Sequence, residues 1–284
     1  MATTITVFVS GKGTNSASCG AVATPCLTFQ KAHDNTNPGG EIVVLDAASY
    51  GPVTITKALG IVDDGAGTAD VLQTGAGLNA ITINAGASDS VHLHGLSLDG
   101  AGAAKSGVRL NSAGSLTIVN CVARHFTNSG FLLAPTGAAS FLISNTIASD
   151  NGKGVTVFPQ GAGSAKGVVD HTTANNNTNE GVLARGGVVM TVVDSVASKN
   201  ANGIAATIGA SITIRETAST NNANSGYGVQ DSGSVIRLAH SVASGNNFGV
   251  TVASGGVAES FVDNNLRGNT TGAVSGSLTT VLAK

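Results

Sequence analysis

Short apolar-x-apolar triplets recur along this chain, each opened by a glycine and followed by two further short segments in which apolar and polar residues alternate. The openings fall at Gly107, Gly130, Gly154, Gly181, Gly203, Gly228, Gly249 and Gly272, at intervals of 23, 24, 27, 22, 25, 21 and 23 residues. Alternation with period two is the pattern of a strand with one buried face. Strands of three to five residues cannot bury that face alone, whereas stacked copies can, each pairing in parallel with its counterpart in the next repeat. The pattern predicts one coil of a solenoid per interval. The interval from Gly181 is representative: Val182-Leu183-Ala184, then Thr191-Val192-Val193, a turn at Asp194-Ser195, and Val196-Ala197-Ser198.

Asn151, Asn177, Asn200, Asn221, Asn246 and Asn269 recur just after the third segment, where the chain bends. Asn tolerates left-handed backbone, and stacked amides bond along a column, so this column reads as structural. A leucine-rich repeat would need a Leu-dominated consensus and a calcium-binding β-roll would need tandem glycine-rich nonapeptides; neither is present. The fold class expected is all-β, a single-stranded right-handed parallel β-helix of about ten coils spanning residues 41–284, with residues 1–40 as an N-terminal cap. Within the cap, Pro25 to His33 predicts a short helix begun by Pro25, with Leu27 and the Phe29/Ala32/His33 face apolar. Asn37-Pro38-Gly39-Gly40 stops it before a first strand at Glu41–Leu45. A helix there covers the open end of the core.

Composition narrows the function. Apolar residues make up 42% of the 284 and net charge is -2, so the chain can bury a core, and 39 glycines without a three-residue period exclude a collagen-like fibre. Only 11% of residues are charged and no Lys/Arg cluster occurs. Nucleic acid is therefore not an expected partner. No apolar run is long enough to span a membrane, and Met1-Ala2-Thr3-Thr4 lacks the basic and apolar regions of a signal peptide. Cys19 and Cys26 bracket a short loop at a spacing that permits a disulfide, which would place the protein in an oxidising compartment; the alternative is two free thiols. Cys121 stands alone in a strand pattern.

Three runs, Thr24-Pro25-Cys26-Leu27-Thr28-Phe29, Gly39-Gly40-Glu41-Ile42-Val43-Val44-Leu45 and Tyr50-Gly51-Pro52-Val53-Thr54-Ile55-Thr56-Lys57, resemble the N-terminal region of secreted bacterial right-handed β-helix proteins of the pectate-lyase-like superfamily. The likeness covers almost the whole chain as a repeat pattern. It implies the fold and a secreted, periplasmic or cell-surface location, but no single activity, because this superfold hosts lyases, hydrolases, epimerases and adhesins. It also implies where chemistry would sit: a groove outside the first parallel sheet, with calcium-holding carboxylates and an Arg base, or with an acid and base pair of Asp. The outward positions there read Thr82, Arg109, Leu132, Thr156, Leu183, Ala205, Gln230, Thr251 and Val274, with one charge and no carboxylate, which departs from both enzyme patterns.

A second constellation lies at the turn between the second and third segments. Aligned coils stack Asn120, Asn145, His171, Asp194, Glu216, His240 and Asn264, with a one-residue gap needed near Glu216. Asp194 and Glu216 on adjacent coils are the candidate acid pair of a retaining glycosidase, flanked by His171 and His240. The same four are candidate binding residues or ligands for a divalent metal, although no cofactor is required by any motif. The plain alternative is a solvated turn column of weak charge pairs. Asp170-His171 is similar to an Asp-His pair of pectate lyases but falls in this same polar turn. His92 and His94 alternate on one strand, and His125 beside Phe126 reads as partly buried. With no Trp, Tyr50 and Tyr227 are the only obvious sugar-stacking candidates.

Three readings follow. The first is a secreted, non-catalytic β-helix that binds glycan or a cell-surface protein. The second is a polysaccharide lyase or glycoside hydrolase working through Asp194 and Glu216. The third is an assembly subunit that self-associates through an uncapped last coil, Ala273-Val274-Ser275 and Leu278 to Leu282.

Overall fold

The computed structural model describes residues 6–261 and 263–281. Leu282 of the last coil and the Met1-Ala2-Thr3-Thr4 start lie outside the described residues.

The chain winds as a right-handed parallel β-helix of three sheets, with ten, twelve and nine strands. Each coil contributes one strand to each sheet in turn, so every strand but the outermost of each sheet pairs in parallel with its equivalent in the coils before and after. In the coil that starts at Glu180, the strands are Glu180–Arg185, Val188–Val193 and Val196–Ser198. Ile204, Val182 and Val155 form one interior column and Val169, Val192 and Ile214 another; apart from Val182, which is 2% exposed, all are fully buried. The core is thus a stack of thin aliphatic layers.

The asparagine column is a buried ladder. The backbone N–H of Asn151 donates to Asn177 Oδ1 at 3.1 Å, that of Asn177 to Asn200 Oδ1 at 2.9 Å, and that of Asn200 to Asn222 Oδ1 at 3.0 Å. The run continues through Asn246 to Asn269. Each Nδ2 also donates to a carbonyl of the preceding strand, as Asn200 does to Ala174. The ladder member in the fifth interval is Asn222, not Asn221. Asn221 instead takes the left-handed position just before it (φ 57°), where other coils carry Asp150, Asn176, Lys199 or Gly245. The left-handed turn and the ladder are therefore neighbouring positions and not one.

The ladder explains the glycines. A Cβ on Gly181 would lie 2.8 Å from Asn200 Nδ2 and 2.8 Å from the Gly203 carbonyl oxygen, so the strand can enter beneath the ladder only without a side chain. The same geometry corrects one opening, since Gly203 lies opposite Gly226, and it is Gly226 whose Cβ would meet the Asn246 amide at 2.9 Å. Gly228 falls two residues later, on the outer face.

At the N-terminal end, the helix spans Phe29–Asn35 and begins after Thr28, whose side chain accepts from Lys31 N, so Thr28 and not Pro25 starts it. Phe29, Ala32 and His33 are buried, while Leu27 is exposed. Strand Thr6–Val9 precedes the helix and pairs with Gly40–Val44 as the first member of the twelve-stranded sheet. Cys19 and Cys26 form a disulfide with Cα atoms 5.0 Å apart. Cys121 is a free thiol buried in the core, where desolvation pushes its pKa up to about 12.

Candidate functional site

The ten-stranded sheet presents a groove on its outer face. The register there runs Thr82, Arg109, Leu132, Thr156, Leu183, Ala205, Gly228, Thr251 and Ser275. Gly228 and Ser275 therefore replace Gln230 and Val274 of the sequence reading, because the coil opens at Gly226 and because Val274 lies opposite the inward Val250. This column does lack a carboxylate. The groove, however, is wider than the column.

A cavity of about 350 Å³ is lined by Lys153, Glu180, Arg185, Thr207, Gln230 and Asp231, among others. A second of about 230 Å³ adjoins it, sharing Lys153, Leu183 and Arg185 and adding Arg109, Leu132 and Phe158. The charges missed in the sequence come from positions flanking the central column. In strand Glu180–Arg185, Gly181 and Val182 both face inward in succession, so a period-two count begun at Leu183 does not carry back to Glu180. The residue just before each coil-opening glycine was the available signal.

Electrostatically the groove is poised but unpaired. Among the described residues, none of Arg109, Lys153, Glu180 and Arg185 takes part in an ion pair. The Arg185 guanidinium lies over the Phe158 ring at 4.6 Å, which holds it extended across the groove. Arg109 Nε donates to Asn111 Oδ1 at 2.7 Å, and the guanidinium's terminal nitrogens have no hydrogen bond to any described residue. Glu180 Oε2 and Thr207 Oγ1 are buried with no hydrogen bond from any described residue. Such atoms are costly to leave unsatisfied unless something else fills the site.

The turn column lies on the opposite corner of the coil, between the twelve- and nine-stranded sheets. The structure places Asn120, Asn145, His171, Asp194, Glu216 and His240 in register, all in left-handed backbone with φ between 44° and 54°. No gap is needed at Glu216, because Val193 pairs with Arg215 in unbroken register. Asn264 belongs one column over: its Oδ1 accepts from Ser241 N at 2.8 Å and ends a row of Thr146, Thr172, Ser195, Thr217 and Ser241 hydroxyls.

Within the column the predicted residues divide. Asp170, His171 and Asp194 bring one ligand atom each within 4.8 Å of one another. Asp170 Oδ1 lies 2.6 Å from His171 Nδ1, and that hydrogen bond, with the Asp170 and Asp194 charges, raises the imidazole pKa. Glu216 turns to Arg215 at 3.4 Å and His240 to Asp263 at 3.1 Å. His125 is exposed and paired with Asp99 at 3.1 Å, not partly buried. His92 and His94 are stacked with ring centroids 6.2 Å apart. Tyr50 and Tyr227 are fully buried, so neither can stack on a sugar; Tyr227 donates to the Thr217 carbonyl.

No family model matches the sequence, and no curated protein matches it. Solved structures do. An alginate lyase from Paenibacillus sp. str. FPU-7 aligns over 97% of this chain and 99% of its own at 14% identity, with a TM-score of 0.66. The A-module of a mannuronan C-5 epimerase from Azotobacter vinelandii aligns over 87% and 90% at 15% identity (TM-score 0.57). A polygalacturonase from Erwinia carotovora aligns over 100% and 98% at 11% identity (TM-score 0.56). At such identities the likeness is one of architecture: the chain has the parallel β-helix fold of the pectate-lyase-like proteins.

Proposed function

We propose that this protein is a secreted carbohydrate-binding β-helix that holds an acidic polysaccharide along the outer groove of its ten-stranded sheet. The observation that carries this reading is the pair of adjoining cavities into which Arg109, Lys153 and Arg185 project without carboxylate partners. Chain carboxylates would meet these cations in succession, while Leu132, Leu183 and Phe158 supply apolar ground for sugar faces. Support also comes from solved structures of this fold, whose names specify action on alginate, mannuronan and polygalacturonate. The Cys19–Cys26 disulfide supports an oxidising, extracytoplasmic location.

The test is binding of polygalacturonate and alginate, against a neutral glucan, by calorimetry. Acidic polymers should bind with affinity that falls as salt rises, and Arg109→Ala and Arg185→Ala should each weaken binding about tenfold, as loss of a charge-assisted contact does. Equal binding of the neutral glucan, or no binding, would defeat the proposal.

The unsatisfied Glu180 Oε2 beside Lys153 favours one second reading, a lyase in which these groups exchange protons with a bound uronate. It predicts a rise in ultraviolet absorbance from unsaturated product that is lost in Glu180→Gln while binding persists.

A further inference from the structure

We propose that Asp170, His171 and Asp194 form a binding site for a divalent transition-metal ion of the zinc class, bridging two adjacent coils on the corner opposite the groove. Asp170 ends strand Ser164–Asp170, and Asp194 follows strand Val188–Val193; Asp170 lies opposite Val193, which sets His171 directly opposite Asp194. The three ligand atoms lie within 4.8 Å of one another. Ligand atoms on one tetrahedral zinc ion sit about 3.4 Å apart, so side-chain movements of about 1 Å close the set around an ion.

Three features separate this cluster from ordinary surface acids. The donor set, one imidazole and two carboxylates, is that of zinc and copper sites and not the all-oxygen set of calcium. Asp170 and Asp194 pair with no lysine or arginine among the described residues, whereas Glu216 and Glu259 elsewhere on the sheet each have an arginine. The backbone is also fixed: the Thr172 hydroxyl donates to the Asp170 carbonyl and the Ser195 hydroxyl to the Val193 carbonyl, bracketing His171 and Asp194 in the same left-handed turn. Asp170 Oδ2 accepts from Ser144 Oγ at 2.9 Å, an outer contact that orients the carboxylate. An ion here ties successive coils together at a corner where they are also joined by the His171 N–H to the Val193 carbonyl and the Thr172 N–H to Ser195 Oγ.

The experiment uses tag-free full chain stripped with chelator, titrated with Zn²⁺ by calorimetry, with melting temperature as a second reading. Expected are one ion per chain, a rise in melting temperature on adding Zn²⁺, and a loss of at least about tenfold in affinity in His171→Asn and in Asp194→Asn. Asparagine is the residue that Asn120 and Asn145 place at this turn, so both variants should fold and melt normally in chelator. His240→Asn, in the same column but paired with Asp263, should bind as the parent does. Absence of binding by the parent, or affinity unchanged in Asp194→Asn, would overturn the site.

Discussion

Two polar columns climb this solenoid a few residues apart, and they behave as opposites. The ladder is buried from Asn151 to Asn246 and ends at the half-buried Asn269, and each member before the last bonds both to the next coil and to the coil before. The turn column from Asn120 to His240 has the same spacing between coils but is solvent-facing, and its side chains pair outside the column, with Asp170 and Arg215 beside them in the chain or with His94 and Asp263 on neighbouring coils. Stacking at one strand spacing does not by itself make a ladder. Burial does, because inside the protein an amide has only its neighbours to satisfy it. In water the same spacing leaves each member independent, and free to carry chemistry.

The largest effect should come from placing a polar group in the interior away from the ladder. Val192→Asp buries a carboxylate among aliphatic side chains with nothing to bond it, at a cost of several kcal/mol, and should unfold neighbouring coils together with its own. A melting temperature like the parent's would mean that the interior accepts charge without partners. Removing a ladder member should cost less but still clearly: Asn200→Ala strands the Asn177 N–H and the Ala174 carbonyl, a loss of about 2–4 kcal/mol in denaturant unfolding.

Reducing the Cys19–Cys26 bridge tests the capped end, which has no ladder. The closed loop is short, so the loss is at most roughly 2 to 3 kcal/mol and local. Hydrogen exchange should rise between Thr14 and Val44 before it rises after Gly107, and uniform loosening would contradict this. The smallest effect belongs to the exposed column. Glu216→Asn exchanges a side chain poorly suited to φ 50° for one that tolerates it, and gives up only an exposed contact with Arg215. Stability should change by no more than about 1 kcal/mol, in the favourable direction; a marked loss would mean that the column is structural after all.

The coil repeat, the interior columns and the capping helix were legible in the sequence because period-two alternation and repeat length report burial directly. The errors cluster where two like residues compete for one position. Asn221 and Asn222, or Gly226 and Gly228, are indistinguishable by type, and only the hydrogen bond to Asn246 chooses between them. Pro25 was read as the helix start because proline fits a first turn, but the Thr28 side chain, which accepts from Lys31 N, decides it. Of the candidate site, His171 and Asp194 were visible through the turn register, and Asp170 was set aside as an ordinary turn residue. Lys153 and Glu180 were hidden, since their groove positions depend on a break in alternation that the ladder imposes on the strand; Arg185 keeps the alternation but lies beside the single column that was counted.

The ladder's backbone N–H bonds all run one way, each reaching toward the asparagine of the coil that follows, from Phe126 N to Asn151 and on to Asn269, while the amide Nδ2 groups also donate back. The structure is therefore vectorial, with unlike faces at its two ends. The N-terminal face is closed by the helix and disulfide, while strands Gly272–Ser275 and Leu278–Val281 each pair on one side only among the described residues. Coils in such a stack can follow one another only head to tail. Each added coil would lengthen the groove by about 4.8 Å, roughly one strand spacing.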